Sequence, residues 1–316
     1  MLASGSKGNC TLLASSRTRI LVDAGLSCRE LFKRMKAVGE DPNTLDAILI
    51  THEHQDHVRG VSVTARKLGI PVYFTEATHR AWMRWMVPQK RVTYADWLAQ
   101  RQVEAAARGS AVAEAVDCEA PQIQVIENEC VDIAASAVDE DEPAPTDPCA
   151  LPGVEYFRAG SGFCIGDIAI TPFTIPHDAA DPCGFVFLTE GIRVAIATDL
   201  GYMASNVQMH LQRCDVLMLE SNHDLEMLRD GPYPWSVKQR VLSRVGHLSN
   251  DAAAEFLQRT YDGYATYLVL AHLSESNNLP ELARVAAEKA LRNRMSLLGN
   301  KLVLARQNEP LDPISL

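Results

Sequence analysis

The 316-residue chain has no apolar run approaching the roughly 20 residues that a membrane-spanning helix needs, so a membrane-embedded function is not expected. It opens without the basic stretch, apolar core and cleavage site of a secretory signal, which makes the cytoplasm the expected location. None of its eight cysteines, at 10, 28, 118, 130, 149, 164, 183 and 214, forms a C-x-x-C pair. A zinc ribbon and a thioredoxin-like motif are thereby excluded, and the cysteines read as reduced, small apolar side chains. No internal repeat of fixed period is visible. Lysine and arginine are absent from residues 109–157, which carry 12 acids. The net charge of −10 therefore belongs to that segment, since the rest of the chain holds 28 acids against 30 bases, a balance of +2. An acidic total of this kind does not exclude a polyanionic substrate, whose binding depends on local basic patches.

What is present is an alternation of short apolar runs and helical stretches. Residues 19–23, 47–50 and 71–74 read as buried strands, and 28–38 and 58–68 as helices. The pattern degrades over 98–153, where 104–116 has helical character, 121–126 and 130–134 have strand character, and 138–152 reads as a solvated loop. That region is expected to be an acidic insertion, partly disordered or a small subdomain, within a single domain spanning 1–316. Regular patterning resumes at 162–175 and 184–198 as hairpin strands around Thr189-Glu190-Gly191. Val216–Leu219 is another strand, running into Glu220; 267–271 runs into His272; 250–260 and 280–294 read as helices.

The chemistry concentrates in Thr51-His52-Glu53-His54-Gln55-Asp56-His57, at the end of a buried strand. Strand alternation projects His52 and His54 to one side, and the following turn can present Asp56 and His57 to a second point nearby. Imidazole and carboxylate suit zinc, manganese or iron. One cluster cannot close two metal sites, and His177, Asp199 and His272 each follow an apolar run directly, which nominates them as the missing donors.

H-x-H-x-D-H followed by a lone His, a Thr-Asp and a late His is similar to the metallo-β-lactamase superfamily. Leu2–Asn9, Val22-Asp23-Ala24-Gly25, Thr198-Asp199-Leu200-Gly201, Glu220-Ser221-Asn222-His223-Asp224 and Gly246-His247-Leu248-Ser249-Asn250 resemble its YycJ/WalJ branch. The resemblance covers nearly all of the chain except about 98–153; relatives also have a longer first strand than one starting at Met1-Leu2. It implies an αββα sandwich with two divalent ions, zinc or manganese, at one edge between the sheets. His52, His54 and His177 would hold the first ion, Asp56, His57 and His272 the second, and Asp199 would bridge them. Asp23 would orient a ligand through a supporting hydrogen bond, and Glu220 is placed in the same supporting layer.

Such a pair of ions lowers the pKa of a shared water, so the expected reaction is attack of a metal-activated hydroxide on phosphorus, with Asp56 in the catalytic set. His247 is the candidate proton donor to the leaving group, against the alternative of a loop residue that caps Ser249 or Asn250. His223 is a second candidate, against a structural role beside Glu220. His79 and His210 are expected in surface or helix packing. Lys7, in Gly5-Ser6-Lys7-Gly8, is a candidate for a substrate phosphate, against an ordinary tight turn. Arg80, Arg84, Lys90 and Arg91 interleave with Trp82 and Trp85, as a strand-binding surface or as a solvated helix face with tryptophan packed inward. Lys238, Arg240 and Arg244 are expected on the side of His247.

The branch resemblance implies 5′→3′ exonuclease action on a nucleic acid, DNA before RNA, with no membrane partner. The competing readings are an RNA-processing nuclease, a thioester or lactone hydrolase of glyoxalase type, and a di-iron redox protein. The thioester reading does not account for Gly246–Asn250. The redox reading requires Glu in place of His54.

Overall fold

A computed structural model describes residues 1–86, 147–292 and 301–316. Among the described residues the strands form two sheets. The first is β1 (Thr11–Ala14), β2 (Arg19–Val22), β3 (Ala47–Leu49), β4 (Val72–Phe74) and β5 (Val154–Tyr156), in that spatial order. The second comprises β6 (Phe163–Ile165), β7 (Ile168–Thr174), β8 (Cys183–Thr189), β9 (Ile192–Ala197), β10 (Val216–Glu220), β11 (Tyr267–Ala271) and β12 (Lys301–Leu304), again with neighbours in chain order.

The two-residue period of these strands sorts their side chains into layers. Ile20, Val22, Ala47 and Leu49 face Phe185, Phe187, Ile196, Met218 and Val269, and together they fill the space between the sheets. The alternate residues point outward. Leu21, Ile48 and Val72 pack against Leu31 and Met35 of the helix Cys28–Ala37, Val61 and Ala65 of Val61–Leu68, and Trp82 of Glu76–Met86. On the far face, Leu217, Leu219, Leu268 and Leu270 pack against Phe256 and Leu257 of Asn250–Arg259 and Ala283 and Ala287 of Pro280–Leu291. Helix, sheet, sheet, helix is the expected αββα order.

β2, β3 and β4 are parallel, and so are β9, β10, β11 and β12; β7 runs with β9 because both are antiparallel to β8. The C-terminal ends of β7, β9, β10 and β11 therefore lie on one edge of their sheet, and each is followed by a chemically active residue.

Several expectations shift in detail. The helix expected over 58–68 is two helices, Gln55–Val58 and Val61–Leu68, broken at Gly60. The break has a steric cause: a Cβ on Gly60 would lie 2.0 Å from the Leu26 carbonyl oxygen. The run 162–175 is a hairpin in its own right, β6 and β7 turning at Gly166-Asp167. β1, β12 and the short helices Ser205–His210, Leu225–Asp230 and Trp235–Val241 had no counterpart in the sequence reading. Residues 87–146 join β4 to its parallel neighbour β5, and the expected elements at 104–116, 121–126 and 130–134 lie outside the described residues. Among the described residues no helix is long and apolar enough to cross a membrane.

Candidate active site

The site residues converge from six strand ends. Asp23 follows β2, the 52–57 cluster follows β3, and His177, Asp199 and His272 follow β7, β9 and β11, while Glu220 closes β10 itself. Asp23, Asp199 and His272 have φ of 60°, 62° and 57°, a left-handed conformation that costs of order 1–3 kcal/mol for a residue with a side chain. Three such residues, turning off the ends of β2 in one sheet and β9 and β11 in the other, place their side chains into one pocket instead of along the strand faces.

Three of the imidazoles, His57, His177 and His272, are held through Nδ1. His57 Nδ1 donates to Asp23 Oδ2 at 2.8 Å, and Asp23 is itself fixed by the Thr51 N–H and hydroxyl at 2.9–3.0 Å. His272 Nδ1 donates to Glu220 Oε1 at 2.9 Å, and His177 Nδ1 to the Gly246 carbonyl at 3.1 Å. The other nitrogens point inward, His57 Nε2 lying 3.0 Å from Asn9 Nδ2. His52 Nε2 and His177 Nε2 lie 3.1 Å and 3.3 Å from His54 Nδ1. His57 Nε2 lies 3.4 Å from both Asp56 Oδ2 and Asp199 Oδ2, and His272 Nε2 lies 3.7 Å from Asp56 Oδ2.

Four overlapping groups of donors among the described residues could hold a metal ion: His52, His54 and His177; Asp56, His57 and His272; His52, His57 and Asp199; and Asp199, Glu220, His247 and His272. Asp199 touches the first two, 3.4 Å from His57 and 3.9 Å from His177. The fit to divalent ions is supported by two atoms in particular. Asp199 Oδ2 and His272 Nε2 are buried without a hydrogen-bond partner, a costly state that a cation between them would relieve. Glu220 also lies near His247, His272 and Asp199, but its oxygens are already engaged: Oε1 by His247 and His272, Oε2 by the N–H groups of Leu200 and Leu248.

The electrostatics follow from packing opposite charges in a buried space. Burial alone would raise the Asp56 and Asp199 carboxyls, yet His57 and His272 outweigh it and hold both well below the usual carboxylate range. Conversely, burial disfavours a charged His57 or His272, but the surrounding carboxylates raise both well above the ordinary imidazole value. His52, buried among other imidazoles, is pushed well below it, and burial brings His177 down to about 4. The acidic half and the neutral imidazole half are thus distinct.

The comparisons with known proteins agree with this geometry. The profile "Metallo-beta-lactamase superfamily" matches residues 3–117, and "Beta-lactamase superfamily domain" matches 134–273. The chain is 33% identical over 285 residues to the exodeoxyribonuclease WalJ of Streptococcus pneumoniae serotype 2, covering 90% of this chain and 84% of that one. The chain belongs to the metallo-β-lactamase superfamily. It is also 32% identical to the exodeoxyribonuclease YycJ of Bacillus anthracis, over 93% of this chain and 89% of that protein. The metallo-β-lactamase fold protein YhfI of Bacillus subtilis superposes with a TM-score of 0.57 at 14% identity, over 96% of this chain and 94% of that one.

Other nominated residues of this superfamily member fall in different places. His247 lies on the rim, its Nδ1 donating to Glu220 Oε1 at 2.9 Å, its side chain 24% exposed. Ser249, not His247, caps the helix Asn250–Arg259 by accepting the Ala252 N–H. His223 is buried with neither ring nitrogen hydrogen-bonded, and burial lowers it to about 4. Lys7 sits on the glycine loop, but its ammonium is 2.6 Å from Glu275. Lys238 departs from its expected place beside His247: it is turned inward to the carbonyls of Arg229 and Gly231 at 2.7 Å and 2.8 Å. Trp82 is packed inward while Trp85 is exposed, and Arg80 pairs with Glu76. Lys90 and Arg91 lie outside the described residues. His79 stacks against both Phe74 and Trp82, and His210 stacks on Phe173.

Sequence reasoning gave no role to Asn9, whose amide donates to Asp56 Oδ2 at 3.0 Å and to the Gly5 carbonyl at 3.1 Å. It also passed over Thr51, Ser4 and Asn222; the last two fix the His272 backbone, Ser4 Oγ accepting its N–H at 2.7 Å and Asn222 donating to its carbonyl at 2.8 Å. Ser4 and Asn9 both stand in the Leu2–Asn9 motif, which was the available signal. Gly25 allows this packing, since a Cβ there would lie 1.7 Å from the Asp56 carbonyl oxygen.

Proposed function

We propose that this chain is a DNA exonuclease of 5′→3′ polarity that cuts phosphodiester bonds with two divalent ions, zinc or manganese. The observation that carries the reading is the pair of orphaned atoms, Asp199 Oδ2 and His272 Nε2, lying where two three-residue donor groups meet. The curated relatives named as exodeoxyribonucleases supply the substrate class. In this reading His52, His54 and His177 hold one ion, Asp56, His57 and His272 the other, and Asp199 bridges. Bound ions would supply Lewis-acid stabilisation of the phosphoryl oxygens and an acidified water.

The chain's own residues do the rest. Asp56, 23% exposed at its side chain against 2% for Asp199, is the carboxylate that water can reach, and it aligns the attacking water. Asn9 holds that carboxylate in place. As the water's oxygen adds to phosphorus and its proton leaves to solvent by way of the Asp56 carboxylate, the P–O bond to the leaving nucleotide breaks and His247 Nε2 gives a proton to the departing oxygen. Glu220 steadies the imidazole through Nδ1. His223, buried and held neutral, takes no part in proton transfer and stays beside Glu220 as a packing residue. Residues 98–153 are read as an insertion between two neighbouring strands of one domain, and the protein as cytoplasmic.

The test is incubation of metal-analysed protein with DNA and RNA strands labelled at either end. Release of mononucleotides from the 5′ end of DNA is expected, with chelation abolishing it. Hydrolysis of an acyl thioester without any phosphodiester cleavage would overturn the proposal, and preference for RNA would redirect it to RNA processing.

A further inference from the structure

The rim of the site on the side of the second sheet is made by three loops tied to one another by their backbones. The Asp178 N–H donates to the Val245 carbonyl at 3.0 Å, the Gly201 N–H to the Pro176 carbonyl at 2.8 Å, and His177 Nδ1 to the Gly246 carbonyl at 3.1 Å. A Cβ on Gly201 would lie 2.2 Å from the Arg244 carbonyl oxygen, so the 199–202 and 244–247 loops touch only because that residue is glycine. His177, Asp199 and His247 therefore share one rim, and Arg244 stands on it.

The cations near this rim differ in what already engages them. Arg240 Nε donates to Asp178 Oδ2 at 2.5 Å, Lys238 is turned into the protein, and Lys7, on the loop leading to Asn9, pairs with Glu275. Arg244 has no carboxylate partner among the described residues. Its guanidinium carbon instead lies 4.2 Å from the centre of the Tyr202 ring, and both side chains are exposed. A guanidinium stacked on a ring keeps its N–H edge free, and that planar fork matches two oxygens of a phosphate. Stacking also restricts the long side chain in advance, so less freedom is lost when an anion binds.

We propose that Arg244, laid on Tyr202, binds the phosphate of the nucleic-acid strand adjacent to the bond being cut. It is a substrate-binding residue that sets the preference for a polyphosphodiester chain over an isolated phosphodiester. This inference rests on the nuclease reading above.

Steady-state kinetics of the metal-loaded protein test it, with a short single-stranded DNA and an activated aryl phosphodiester that has no neighbouring phosphate as the two substrates. Arg244→Ala is expected to raise KM for DNA about tenfold, the scale of one charge-assisted hydrogen-bonded contact. The slope of log KM against log salt should flatten by about 0.7, the share of one phosphate contact on a single strand. The loss on DNA should exceed the loss on the aryl ester by about tenfold, because that ester has no second phosphate to bind. Arg244→Lys, which keeps charge without the plane, should fall between wild type and Arg244→Ala; it carries the test if the alanine variant does not fold. An unaltered KM and salt slope, or equal losses on both substrates, would overturn the assignment. If the unmodified protein cleaves the aryl ester but no DNA, the nuclease reading fails and this one with it; if it cleaves DNA and the Arg244 variants match it, only the Arg244 assignment fails.

Discussion

The sandwich carries a polar cluster at each end, and the two are built on opposite principles. At the end away from the site, the β1–β2 turn is bound to the β6–β7 and β8–β9 turns of the other sheet. Asp167 accepts from Ser15 Oγ at 2.8 Å and Thr18 Oγ1 at 2.6 Å, and Glu190 accepts from the Ser16 hydroxyl and N–H at 2.5 Å and 3.1 Å. These carboxylates are matched with donors, Glu190 in the open and Asp167 half-buried. At the site end, Asp199 and His272 are buried, conformationally strained and left with atoms that have no hydrogen-bond partner among the described residues. A satisfied cluster ties two sheets together; an unsatisfied one is organised around a ligand.

The contrast can be broken most forcefully at Asp199. Asp199→Ala is expected to reduce hydrolysis on the order of 10³-fold or more, as removal of a central charge-stabilising group does. Zinc or manganese should raise the melting temperature of the unmodified protein and leave that of the variant unmoved, because only a state that binds the ion is stabilised by it. A variant that still gains stability from metal would show that Asp199 is not between the ions.

His247→Ala should lower turnover by about a hundredfold while metal content, read by elemental analysis, stays at the level of the unmodified protein. Loss of metal in that variant would move His247 from proton donor to ligand. Asp23→Ala, which removes the partner of His57 Nδ1, should weaken metal affinity by about 10–100-fold in a competition titration, with a smaller effect on turnover at saturating metal. An affinity equal to that of the unmodified protein would leave Asp23 a purely structural residue.

The smallest effect is expected at the other end. Asp167→Ala should lower the melting temperature by about a few degrees and leave turnover unchanged, since it removes only the acceptor shared by the Ser15 and Thr18 hydroxyls at the end away from the site. A loss of activity there would erase the distinction between the two ends.

Much of the site was legible because each donor stands directly after a short apolar run, and a buried strand must surface at its end. His52, His177, Asp199, Glu220 and His272 were found that way, and the structure brings all five together. The shorter elements were not. Ser205–His210 and Leu225–Asp230, at six residues each, are too brief to display a helical period, and β1 and β12 are four-residue strands. Asn9 was visible only as part of a motif, because its partner Asp56 is 47 positions away. The link between Lys7 and Gln307, whose Oε1 accepts the Lys7 N–H at 2.8 Å, spans 300 positions.

The sequence by itself determined the kinds of donor atom and the strand ends that deliver them, because alternation and burial are properties of a few consecutive residues. Which nitrogen of His57, His177 and His272 is held was decided only in three dimensions. The same is true of Arg244, which has no carboxylate partner among the described residues, while Lys7 and Arg240 are engaged by acids. Those outcomes depend on partners brought from distant parts of the chain, and pairing at such separations is set by how the two sheets and their loops pack.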